Sequence, residues 1–373
     1  MIVDLLLRVM SRFLPPLARQ RYLEEWRADA AGATEAGRRR RDVLFGAAVL
    51  SCTLDRDLPA HTGEPRGMLP RRLARRGLAL FAAAGVVLTG AYLTGGGVVP
   101  EGAAATAGVV AALHVAARIA VGAALVVAVL GALYLAGAAR TARTRTARAT
   151  LVAAVLGPAL VLTGAWAPGA PGWLFLVGAI VVMLGLGGSM AVIAGTEPLA
   201  LEFRTAALPR RVTAAIAGLV LVFGIVSVGL VDLLVWNPQA KVPGTELSSI
   251  YAQMAVRDGF DLTRNAVLVA VWAGFWIASA LVLLALAVRR NGDEFTPRRI
   301  TIVMLGLVGA AIFFRFFAGF GIGMSIADTF MTSGGDASVV SAVLPYVGQL
   351  ALAGAAIAVG WAPRVAPRQV AVA

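Results

Sequence analysis

Eight long stretches of the chain are apolar almost from end to end, at about 77–98, 108–138, 150–167, 173–194, 212–236, 265–288, 298–324 and 338–361. A hydrocarbon core of ~30 Å needs ~20 apolar residues in helical form. Backbone polar groups have no water there, so each stretch is predicted to be a spanning helix. Before residue 70 the pattern changes to polar and apolar positions mixed at helical period. Leu5, Leu6, Val9, Met10 and Phe13, with Arg8 and Arg12 among them, predict a helix over Ile2–Phe13 that Pro15-Pro16 ends. A second helix is expected over Leu17–Ala33, with Tyr22, Leu23 and Trp26 on one side and Arg21 spaced to pair with Glu25. A third runs from Arg38 to Leu54 and carries Val43, Leu44, Ala47 and Ala48. The expected fold is all-α: a polytopic integral membrane protein with eight transmembrane helices. Its parts are a cytosolic helical region (1–56), a linker (57–69), the transmembrane domain (70–363) and a cytosolic tail (364–373).

Arginine placement orients this array. With the N-terminus inside, the inner segments hold Arg71, Arg72, Arg75 and Arg76, then Arg140 to Arg148, Arg204 to Arg211, Arg289 to Arg299, and Arg364 and Arg368. The outer segments hold only Lys241, Arg257 and Arg264. The positive-inside rule therefore puts both termini in the cytoplasm. Three outward-running segments open with Pro-Arg-Arg, at Pro70, Pro209 and Pro297. Proline suits a first helical turn, and Thr296 stands where an N-cap belongs. Segments one and five share this opening, which also admits a parallel 4+4 repeat. In the outer loop Asn237–Asp261, the stripe Leu247, Ile250, Tyr251, Met254 predicts an interfacial or re-entrant helix.

Composition narrows the chemistry. The chain is 59% hydrophobic and 14% charged, against about 25% charged in soluble domains. Its formal charge is +13, carried by arginine: Lys241 is the sole lysine, as expected of a GC-rich bacterial genome. Cys52 is the only cysteine, so no intramolecular disulfide forms. With only His61 and His114 beside it, no zinc site of usual spacing can be built. No phosphate-binding lysine loop, nucleophile elbow or zinc-protease histidine pair occurs. The spans hold no closely spaced carboxylate pair, which argues against a pump built on buried acids. No cofactor or metal is expected. Arg38-Arg39-Arg40-Arg41 points to anionic headgroups rather than to nucleic acid.

One charge stands out. Arg315 lies in Phe313-Phe314-Arg315-Phe316-Phe317, deep in an apolar run. At ~100° per residue, its face holds Met304, Val308, Ala311, Gly319 and Ile322, while Phe313, Phe314, Phe316, Phe317 and Phe320 occupy the opposite arc. The arginine face is expected to look into the bundle, ~22 Å up from Ile300. It would make an ion pair or anion contact, the alternative being snorkelling to the interface. Asp232 matches its depth, and the alternative there is an exposed interfacial aspartate. His114 and Arg118 lie four residues apart on segment two, also towards the outside. Arg315, Asp232, Arg118 and His114 are the candidate binding or ion-pair residues. Gly187 and Gly188, where glycines interrupt segment four, and Gly319 and Gly323 in segment seven are hinge candidates, with helix packing as the alternative.

The N-terminal residues carry a resemblance. Leu5-Leu6-Leu7-Arg8, Phe13-Leu14-Pro15 and Arg21-Tyr22-Leu23-Glu24-Glu25-Trp26, followed by a basic turn and a third helix, resemble the permease-prefix helices that precede membrane segments in some bacterial permeases. The eight-segment body differs from the four segments usual there. Three functional readings follow. The first is a transporter-like or permease-accessory protein of the inner membrane, with a polar site in the outer half of the bundle. The second is a non-catalytic regulator or scaffold that binds a cytosolic partner through residues 1–56. The third, least supported, is an enzyme acting on lipid-linked substrates. Expected partners are the bilayer, a cytosolic or membrane protein at the N-terminal helices, and a second copy of the chain.

Overall fold

The structure, a computed structural model, describes residues 2–54, 67–93, 107–194, 208–289 and 295–361. His61, Arg204, Arg364, Arg368, most of the expected linker and the C-terminal tail lie outside the described residues. Among those described, every regular element is helical, and eight helices are long and apolar enough to cross a membrane. The protein is a multi-pass membrane protein.

By packing, the described residues divide into two compact units: those within 1–76 and 132–199, and those within 77–131 and 200–363. These are not the two sequential four-segment halves.

The first unit begins with three short helices: α1 (Ile2–Arg12), α2 (Pro16–Gly32) and α3 (Arg40–Thr53). Leu7, Leu14, Trp26, Ala30 and Ala47 form their core. Arg21 pairs with Glu25 at 2.7 Å, as its spacing predicted. Asp4 holds α1 to α2 by accepting from Arg27 at 2.6 Å, and this hydrogen bond keeps its carboxyl below the ordinary range. Two long helices, α4 (Met68–Leu93) and α5 (Ala107–Thr141), are divided between the units: residues 68–76 and 132–141 belong to this one, residues 77–93 and 107–131 to the second. The helices α6 (Arg145–Trp166) and α7 (Trp173–Ala194) form an antiparallel hairpin. Gly157 and Gly164 on α6, and Gly178 and Gly185 on α7, recur every seven residues along the shared seam. A Cβ on Gly164 would lie 2.5 Å from the Phe175 nitrogen, and one on Gly178 2.6 Å from the Val161 nitrogen. Backbone meets backbone here, as small residues allow. Segment four is thus not interrupted: α7 runs unbroken through Gly185, Gly187 and Gly188.

The second unit holds α8 (Leu208–Val231), a π-helical turn (Asp232–Trp236), α9 (Asn237–Lys241), α10 (Leu247–Asp258), α11 (Leu262–Val288), α12 (Pro297–Phe330) and α13 (Val339–Gly360). Thr296 caps α12 by accepting from the Arg299 N–H at 3.3 Å, the predicted N-cap. Two arginines cap helix C-termini. Arg211 Nη2 donates to the Arg289 carbonyl at 3.1 Å beyond α11, and Arg298 Nη2 to the last carbonyls of α13, Ala358 and Val359. Cations are favoured at that end of the helix dipole. The stripe on α10 turns to the protein rather than to a bilayer interface: Ile250 and Met254 are fully buried in the core.

Candidate functional site

Two irregularities build the site. The first is the π-helical turn. The Asn237 N–H donates to the Asp232 carbonyl, five residues back. In an α-helix these residues would face ~140° apart, whereas the wider turn brings both side chains to one side. Tyr251 of α10 steadies the turn by donating to the Leu234 carbonyl at 2.8 Å. Burial pushes the Tyr251 phenol up to about 12.

The second is the segment after α12. That helix has 34 residues, ~51 Å, far longer than a ~30 Å core requires. It ends on Met331, a non-glycine residue in the left-handed region at φ 54°. The Met331 and Thr332 N–H groups both donate to Ala327, so the chain reverses sharply. Residues 332–338 then run back along α12. The Gly334 carbonyl lies 3.1 Å from where a Cβ on Gly323 would stand, so glycine at 323 admits the returning chain. Arg315 lies ~22 Å below Phe330. Six residues span at most ~20 Å, and the long arginine side chain closes the remaining gap to Asp336.

Arg315 is at the centre, 4% exposed, and Asp232 is fully buried. Arg315 Nη2 donates to Asp232 Oδ2 and, at 2.8 Å, to Ser341 Oγ; Nη1 donates to Asp336 Oδ2 at 3.0 Å. Asp232 also accepts from the hydroxyls of Ser341, at 2.5 Å, and Ser338. Ser338 caps α13, its Oγ accepting from the Ser341 N–H at 2.9 Å. Asn237 closes the ring. Its Oδ1 accepts from the Ala337 N–H at 2.7 Å, and its Nδ2 donates to Asp336 Oδ1 at 3.3 Å. One network therefore joins the π-turn, α12, the returning segment and the start of α13.

The energetics explain why so many partners are needed. Desolvating each ion costs several kcal/mol, and the pair holds only when the remaining lone pairs are bonded. Asp232 meets this with three donors. Arg315 neither snorkels nor stands alone, and its five phenylalanines all point away and are exposed. Gly229, one turn before Asp232, makes room: a Cβ there would lie 3.0 Å from the Trp272 ring and 3.4 Å from Arg315 Cδ. Trp272 Nε1 in turn donates to the Ala311 carbonyl at 3.1 Å, one turn below Arg315. The Asp336 side chain is 32% exposed and forms the accessible edge of the network. Nearby, Lys241 is buried and donates to Ser333 Oγ at 2.7 Å.

The other candidates fall differently. His114 and Arg118 are exposed on α5, and no hydrogen bond or ion pair joins them to Asp232, Arg315 or Asp336. Gly319 sits against the Leu233 side chain and Gly323 against Gly334; α12 is continuous through both. A Cβ on Gly188 would strike Thr150, while Gly187 faces open space. Ser338, Ser341 and Asn237 are site residues that the sequence pattern did not single out. The signal available was Gly334-Gly335-Asp336 beside a serine positioned to cap α13.

Comparisons with protein families, with curated proteins and with solved structures gave no match.

Proposed function

We propose that this is a transporter-like membrane protein whose outer half carries an ion-pair latch, seen closed, with Arg315 as its bolt and both termini in the cytoplasm. The observation that carries the reading is the Arg315–Asp232–Asp336 network, which fastens a returning loop to α12 and the π-turn through charge. Ionisable groups at membrane depth are costly, and by default they mark sites. π-turns concentrate at functional positions for a related reason: they are retained despite poorer packing. A latch made of charge releases when one partner is neutralised, which an apolar seam cannot do. The exposed edge at Asp336 gives protons or a solute access to it.

The scaffold reading has its own support. Beneath the network the buried face of α12 is Ile300, Met304, Val308 and Ala311, an apolar layer. In that reading the network is a permanent rivet.

Labelling separates the two. Leu344 is buried on α13, one turn below Ser341. With Cys52→Ser, Leu344→Cys in reconstituted vesicles is expected to react slowly with an impermeant maleimide. Asp336→Asn is expected to speed the reaction about tenfold, the effect of a loss of ~1.4 kcal/mol. Equal rates in the two backgrounds would favour the rivet.

A further inference from the structure

α1 has two apolar faces and only one of them is used. Leu7 is fully buried in the three-helix core, with Val3 and Met10 packed against it. On the opposite side Leu5 and Phe13 are each 62% exposed, and Val9 and Leu6 are exposed beside them. At ~100° per residue, these four cover an arc of about 100°. Arg8 and Arg12 fall along one edge of that arc, both exposed. Leu17, at the start of α2, is 62% exposed as well. A lone three-helix unit in water gains nothing from such a strip.

We propose that this face of α1 lies on an anionic lipid surface, with Leu5, Leu6, Val9 and Phe13 among the acyl chains and Arg8 and Arg12 at the headgroups. Charge supports this occupant. Residues 2–54 carry nine arginines against six acidic residues, and four of the arginines are consecutive at Arg38–Arg41. Basic residues beside a membrane are drawn to anionic headgroups, and an apolar stripe edged by arginine is the pattern of a helix lying in the interface. Tethering supports it too. Fourteen residues separate Thr53 from Met68, where the first spanning helix begins. That length reaches ~50 Å at most, so the unit never leaves the neighbourhood of a bilayer. The inference does not depend on the Arg315 latch.

The test uses the full chain in nanodiscs, with Cys52→Ser and a spin label on Val9→Cys. In bilayers containing phosphatidylglycerol, the label is expected to collide more with oxygen than with a water-soluble nickel chelate. In pure phosphatidylcholine, or at ~1 M salt where the Debye length falls to ~3 Å, the preference reverses. Arg8→Gln with Arg12→Gln is expected to abolish the shift while the helical circular dichroism stays unchanged. Three outcomes would overturn the proposal: a label open to water in every bilayer, equal immersion with and without anionic lipid, or a label shielded from both reagents. The last would mean that a protein or a second copy of the chain covers the face.

Discussion

Arg315 and Asp232 cannot be removed one at a time without consequence. Arg315→Met leaves a fully buried carboxylate without its cation, and breaking a buried pair in this way costs about 3–5 kcal/mol. Arg315→Met combined with Asp232→Leu removes both charges and is expected to recover most of that loss, since apolar replacements of buried pairs are often neutral or better. Denaturant unfolding of the single and double variants in mild detergent checks both values. Tyr251 makes stability depend on pH. Its folded pKa, about 12, exceeds the ordinary value near 10. The stability it contributes is therefore complete below pH ~10 and is lost as pH rises towards 12. Tyr251→Phe is expected to flatten that alkaline decline in an unfolding series. Arg315 and Asp232 were legible in the sequence because each is a charge within an apolar run. Asn237, Ser338 and Ser341 were not, because polar residues at caps and loop ends are ordinary.

The helices themselves were written in the hydrophobic pattern, and each spanning helix stands within a few residues of its expected stretch, apart from extended ends. What the pattern lacked was the irregular turns. A π-turn has the composition of the helix around it, and the return of residues 332–338 along α12 depends on a reversal at Met331, an unusual residue for a left-handed position. Glycines read ambiguously for the same reason: spacing marks a small residue, but not whether backbone or open space faces it. The hairpin of α6 and α7 separates these cases. Gly185→Ala would set its Cβ on the Ala154 backbone, and the helices must part; Gly187→Ala meets nothing within 4 Å. Gly185→Ala is expected to lower the unfolding midpoint clearly. Gly187→Ala should leave it unchanged or raise it slightly, by the ~1 kcal/mol advantage of alanine in a helix.

At the scale of the whole molecule, the count of eight spans followed from length and composition, whereas the division into two packed units did not, because packing partners leave no trace in hydropathy. The orientation proposed from arginine placement is open to direct check. Reporter fusions after Gly360 and before Ile2 are both expected to be active in the cytoplasm, and a fusion in the segment between α12 and α13 outside it. The latch makes the most exposed claim: the returning segment must leave the π-turn when its charge is reduced. The distance between spin labels at Gln239→Cys and Gly335→Cys, in the Cys52→Ser background and measured by pulsed dipolar spectroscopy in nanodiscs, reads this directly. The latch predicts a short-distance population that gives way to a longer one with Asp336→Asn. A single narrow distance, identical with and without Asp336→Asn, would contradict it.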